Sequence, residues 1–269
     1  MLLQKQKYLQ IALNNTLHEA KNIINQIPLD KRIIIEVGTP LIKAYGKKGI
    51  KEIRYFWEQR FFGHTYASMN ASHYLFNTEK NQFSTLDLLE KFSKIKQSHG
   101  KNFLKDKEIA ITPYIIADLK CMDRGQREVE IANEGGANAA TCLGQAPIET
   151  INAFIKQCEK FGLDSMIDMM AVPFPLKVLR QLKKLPSVVI LHRGVDEESF
   201  NQEKEIPFHE IQRIKSNYDI LIAIAGGDTF KETQRAIFND ADIVIVWKSF
   251  YSSTDETAKL AEKFLKEIR

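Results

Sequence analysis

Apolar residues in this chain gather into short, Ile- and Val-rich runs, separated by longer stretches in which apolar positions recur at helical spacing. The runs are YLQIAL (8–13), RIIIEV (32–37), YIIADL (114–119), AATCL (139–143), SMIDM (165–169), VVILH (188–192), ILIAIA (220–225) and DIVIVW (242–247). Runs of this kind suit strands covered on both faces, as in a parallel sheet. Helical patterns lie between them at 147–161, 173–184, 229–238 and 253–268, and an earlier helix opens on the capping box Thr16-Leu17-His18-Glu19. Eight such repeats in 269 residues predict an α/β fold, a closed (β/α)8 TIM barrel. No GxGxxG follows the first run, which disfavours an open dinucleotide-binding sheet.

Residues 55–110 interrupt the rhythm between the second and third strands and far exceed an ordinary connection. They carry many aromatics, among them Tyr55, Phe56, Trp57, Phe61 and Phe62, and the helical pattern STLDLLEKFSKIKQ. The expected organisation is a single barrel domain, 1–269, with 55–110 as an inserted helical subdomain. Such an insert is either an excursion with its own small core or an interaction surface or lid.

Composition narrows the function classes. Hydrophobic residues make up 44% and charged residues 27%, enough for a full-sized core. The net charge of +4 is spread along the chain with no basic block, which argues against a nucleic-acid partner. The three cysteines, Cys121, Cys142 and Cys158, have no CxxC spacing, and the N-terminal segment is too polar for a leader. No run of 18 uncharged apolar residues exists, so a cytoplasmic protein with no membrane partner is expected.

In a TIM barrel the chemistry sits where strands end, so the polar residues that close the apolar runs carry most of the functional signal. They are Asn14, Glu36, Asp118 with Lys120, Asp168, His192, Gly226-Gly227 and Lys248. Glu36 and Asp118, on adjacent strands, are two hard oxygen donors suited to Mg²⁺; the competing reading is that each caps a helix or pairs with a lysine. Lys120, between Asp118 and Asp123, is expected to stay charged and to stabilise a developing oxyanion. His192 is either an acid–base group or a core histidine, and Arg193 beside it is a candidate substrate contact together with Asp168. Gly226 and Gly227 follow the seventh strand, where barrels often hold phosphate, which points to a phosphorylated substrate.

The segments LQIALNN, IIIEVGTPLIKAYG, IIADLKCMD with its D-x-K-x-x-D spacing, SMIDMMAV, VVILHRGVDEE, IAIAGG and ADIVIV resemble the hexulose-6-phosphate synthase and 3-keto-gulonate-6-phosphate decarboxylase family. That family is part of the orotidine-5'-monophosphate decarboxylase superfamily. The resemblance implies a dimeric barrel with active sites near the subunit interface, Mg²⁺, a sugar phosphate and an enediolate intermediate. It assigns Glu36 and Asp118 to the metal, Lys120 to the enediolate, Asp123 to the partner's site, His192 to acid–base work and the phosphate to backbone near Gly226 and Gly227. Val195 stands where the decarboxylases carry an arginine, so the synthase activity, an aldehyde-lyase joining formaldehyde to ribulose 5-phosphate, is the expected one. The alternatives are a lyase or decarboxylase acting on another sugar phosphate, or a barrel used for binding or assembly. Two departures mark the chain: Asn14 replaces the usual first-strand aspartate, and Trp247-Lys248 replaces a glycine-rich turn, with Lys248 able to supply a cation for phosphate.

Overall fold

The computed structural model describes residues 1–62, 113–201, 203–252 and 256–268. Eight parallel strands close into a barrel in sequential order: β1 (Tyr8–Leu13), β2 (Ile33–Val37), β3 (Ile115–Cys121), β4 (Ala139–Leu143), β5 (Asp164–Asp168), β6 (Val188–His192), β7 (Leu221–Ala225) and β8 (Ile243–Val246). Each predicted strand is present, with ends shifted by at most two residues. The helices are α1 (Leu17–Gln26), α2 (Thr39–Phe62), α3 (Gly125–Gly135), α4 (Ile148–Phe161), α5 (Pro175–Leu179), α6 (Val195–Phe200), α7 (His209–Lys215), α8 (Phe230–Phe238), α9 (Lys248–Ser252) and α10 (Thr257–Glu267).

The period of two along each strand sorts its side chains. On β1, Leu9, Ile11 and Leu13 join the core between strands and helices, whereas Tyr8 belongs to a second cluster with Ile34, Ile116, Met166, Val188, Leu221 and Ile243. That second cluster fills the barrel. Stepping two residues onward from its members reaches Gln10, Glu36, Asp118, Asp168, Ile190, Ala223 and Ile245, so the interior changes from apolar to charged toward the strands' C-terminal ends. Pairing of Ala12 with Glu36 and of Glu36 with Ile116 fixes the height of the first carboxylate in the barrel.

Local chemistry sets the helix ends. Thr16 accepts the Glu19 N–H at 3.2 Å while the Glu19 carboxylate accepts the Thr16 N–H at 3.1 Å, the reciprocal cap expected of that motif. Thr229 and Glu232 repeat the device at α8. Two expectations need correction. The helix expected over 173–184 is confined to Pro175–Leu179, because Pro175 sets its first turn and the Lys-Lys-Leu-Pro segment leads into β6. The supposed start of the insert, 55–62, is the end of α2, a helix broken once at Gly46 (φ 57°), with Trp57 fully buried against the barrel core. The rest of the expected insert, 63–110, lies outside the described residues. Among the described residues no helix is long and apolar enough to cross a membrane.

Candidate active site

A cavity of about 290 Å³ opens at the C-terminal end of the barrel. Its lining includes Asn14, Glu36, Asp118, Lys120, Asp168, His192, Arg193, Gly226, Gly227 and Lys248. Thus the structure brings together every residue singled out from the sequence except Asp123.

Lys120 lies at the centre. Its Nζ is 2.8 Å from Asp168 Oδ2 and 3.0 Å from Asp118 Oδ2. Burial on its own would push the ammonium toward neutrality, but Asp118, Asp168 and Glu36 outweigh it and raise the pKa above the usual lysine range. The backbone at Lys120 is left-handed (φ 45°), and the β3–β4 register slips between Ala117 and Cys121. This bulge lets Asp118 and Lys120 share the cavity and carries the following residues away from it. Asp123 is therefore exposed outside the cavity, and the carboxylates facing Lys120 are Asp118 and Asp168, not Asp118 and Asp123.

Asp168 is almost fully buried and its Oδ2 also lies 2.8 Å from His192 Nδ1. Desolvation opposes its charge, yet His192 and Lys120 prevail and hold the carboxyl well below the usual carboxylate range. Desolvation likewise works against His192⁺, and Asp168 reverses the balance, leaving the imidazole pKa raised. With Nδ1–H donated to Asp168, Nε2 is the nitrogen left to take up a proton. His192 is thus not a histidine bonded to a backbone carbonyl in an apolar core.

Glu36 is pushed up to about 7, first by burial and then by the nearby Asp118. Gln10 Nε2 donates to Glu36 Oε2, while Gln10 Oε1 is buried with no hydrogen-bond partner among the described residues. Asp118 is held on three sides: its Oδ1 accepts from Thr141 Oγ1 at 2.7 Å, its Oδ2 from Thr39 Oγ1 at 2.8 Å, and both oxygens face Lys120. Gln10, Thr39 and Thr141 were not anticipated. Gln10 carried a readable signal, a lone amide inside the run YLQIAL; the two threonines carried none, since threonine is ordinary in strands and at helix starts.

At the opposite wall, Gly226 (φ +89°) brings the backbone so close to β6 that a Cβ there would lie 2.2 Å from the Arg193 carbonyl oxygen. Gly226→Ala should therefore lower stability by about 1–3 kcal/mol, read as a reduced urea midpoint with an unchanged slope. A midpoint equal to wild type would mean that this backbone is not under such constraint. Asn14 has a similar relation to Gly38, where a Cβ would meet Asn14 Oδ1 at 1.8 Å.

The model of the orotidine 5'-phosphate decarboxylase / HUMPS family matches residues 89–263. The chain belongs to this family. It is 30% identical over 266 residues to the bifunctional enzyme Fae/Hps of Methanocella arvoryzae, an alignment covering 97% of this chain and 53% of that protein. The bifunctional enzyme Fae/Hps of Methanocaldococcus jannaschii is 32% identical over 249 residues, covering 92% and 49%. The chain spans about half the length of the curated relatives it matches. Among solved structures, 3-hexulose-6-phosphate synthase from Salmonella typhimurium superposes with a TM-score of 0.66 at 22% identity, covering 97% of this chain and 98% of that one. KGPDC from Streptococcus mutans, in complex with a sugar phosphate, gives 0.66 at 16%, covering 97% of each. At these identities the structural likeness bears on the fold, and it shows the barrel of this enzyme family.

Proposed function

We propose that the chain is an aldehyde-lyase of the 3-hexulose-6-phosphate synthase type, joining formaldehyde and ribulose 5-phosphate reversibly to give D-arabino-hex-3-ulose 6-phosphate. The observation that carries this reading is one carboxylate, Asp168, bonded at 2.8 Å to both a cationic lysine and the Nδ1 of a histidine within one cavity. Such an arrangement takes a proton from carbon and stabilises the resulting oxyanion. The relatives named Fae/Hps and the sugar phosphate held by a structural neighbour are consistent with a phosphorylated sugar as substrate.

His192 Nε2 would remove the proton from the carbon beside the ketose carbonyl, and Asp168 supports the imidazolium that forms. Lys120 Nζ, protonated throughout, donates to the enediolate oxygen. The enediolate carbon then bonds to formaldehyde, and the imidazolium returns its proton to the new alkoxide. Val195, at the cavity wall, stands where the decarboxylase pattern carries an arginine, which favours the aldol reaction over decarboxylation.

Mg²⁺ fits the donor set. Glu36 carries a carboxyl near neutrality beside a second carboxylate, and the orphaned oxygen of Gln10 lies next to it, so oxygen donors here outnumber cations. Among the described residues no group of three or more His, Cys, Asp or Glu is arranged to hold a metal, so a carboxylate pair completed by substrate and water oxygens is the form proposed. The ion would supply a Lewis acid at the ketose oxygens. Asp123, exposed next to the half-exposed Met122, is proposed to serve the partner's site in a homodimer.

The test is formaldehyde release from the hexulose 6-phosphate by purified protein, before and after EDTA and after Mg²⁺ is restored. Release that is lost and then recovered is expected. Undiminished release in EDTA would remove the metal, and no release under any condition would remove the assignment.

A further inference from the structure

At the β7–β8 end of the cavity, groups able to receive an anion are already holding protein carboxylates. Asp228, directly after the glycine pair, accepts the backbone N–H groups of Trp247 at 2.7 Å and Lys248 at 2.8 Å. Its own carbonyl accepts Ser249 Oγ at 2.9 Å. Glu198, on α6, accepts from Lys248 Nζ through Oε2, and its Oε1 is 3.5 Å from Arg193 Nη2. Lys248 Nζ also rests 5.9 Å from the centre of the Trp247 ring. Arg193, Glu198, Asp228, Trp247 and Lys248 all line the cavity.

The two carboxylates differ in how firmly they are held. Asp228 is fixed by two short bonds to main-chain donors on another strand's loop. Glu198 is about a third exposed and stands on a six-residue helix that contributes no buried residue. Two N–H groups nearby, Arg193 Nε and Trp247 Nε1, are buried without any hydrogen-bond partner among the described residues. Buried donors in that condition mark a place where an acceptor is wanted.

We infer that Glu198 is a stand-in for the substrate's phosphate: an incoming phosphate monoester displaces its carboxylate from Lys248 and Arg193, while Asp228 keeps the backbone donors after β8 closed to it. The inference rests on the reading of the substrate as a sugar phosphate and makes Glu198 a specificity-determining residue. A phosphate brings nearly two charges and three acceptor oxygens against one charge and two oxygens, so it outcompetes the Glu198 carboxylate for Lys248 and for the open side of Arg193, whose Nη2 stays anchored on the Gly226 carbonyl at 2.6 Å and on Glu232 Oε1 at 3.2 Å. An uncharged ligand gains nothing by evicting Glu198. Affinity at this end of the cavity is then a competition that the protein has set, rather than the attraction of an open basic pocket.

The experiment is titration of the full chain with inorganic phosphate, followed by tryptophan fluorescence. Trp247 lines the cavity and Trp57 is fully buried outside it, so the ligand-dependent signal arises at the former. Glu198→Gln is expected to tighten phosphate roughly five-fold, the scale of releasing two partly exposed ion pairs. Asp228→Asn is expected to change it less than about two-fold, what an untouched site gives. Weaker or unchanged binding in E198Q, a larger gain in D228N than in E198Q, or no phosphate binding by any of the three proteins would each overturn the inference. Because no turnover is measured, absence of lyase activity with the expected phosphate ranking would strike the proposed reaction alone.

Discussion

Lys120→Met should reduce kcat for formaldehyde release by about 10²–10³-fold, the usual consequence of deleting a donor aimed at a developing oxyanion. Methionine keeps the unbranched stem and lacks only the terminal ammonium, so the loss would reflect chiefly charge and hydrogen bonding. A second effect accompanies it. Asp118 and Asp168 are both nearly buried and both face the same ammonium, and removal of that cation leaves two carboxylates in each other's field. Breaking a buried pair from one side costs about 3–5 kcal/mol, so the urea midpoint should fall as well. Steady-state rates and urea unfolding on one preparation check both. A variant retaining near wild-type kcat would show that Lys120 does not touch the reacting oxygen.

Asp168→Asn should be at least as damaging, on the order of 10³–10⁴-fold in kcat, because an amide can no longer hold Lys120 and the correct His192 tautomer together. The pH profile gives the sharper signature. In wild type, burial opposes imidazolium and Asp168 overrides it, so the acidic limb of kcat/KM should lie above the ordinary histidine value of about 6.5. In D168N the limb should move to lower pH. A limb that stays in place would mean another group is the base. Stability follows the same linkage with opposite signs for the two partners. The contribution of Asp168, whose pKa is lowered, is present above about pH 3.9 and is lost as the pH falls through its native value. The contribution of His192, whose pKa is raised, is complete below about pH 6.5 and is lost as the pH rises through its native value.

The barrel was legible because each strand is covered on both faces and so reads as an apolar run, with Gly226 and Gly227 closing the seventh. The helices were less so. A helix such as α2, with a left-handed glycine at 46 and aromatics through its second half, blurs the periodicity on which recognition depends. At the site, strand-end position located Glu36, Asp118, Lys120, Asp168 and His192, because an inward-pointing charge after an apolar run has few structural uses. Proximity in sequence misled for Asp123. It stands three residues from Lys120, but the bulge sends it outward, whereas Asp168, forty-eight residues away, is the true neighbour. Asp228 and Glu198 were not read because their importance comes from the groups they cover, and those are backbone donors and cations on other loops.

Below the charged layer, Ile34, Ile116, Met166, Val188 and Ile243 form a continuous hydrocarbon floor across the barrel. Among the described residues this floor lies beneath Lys120, Asp168 and His192, and the cavity they line opens at the strands' C-terminal ends. A ligand seated in that mouth would therefore act as a stopper, keeping the proton held by His192 for the new alkoxide and away from bulk water.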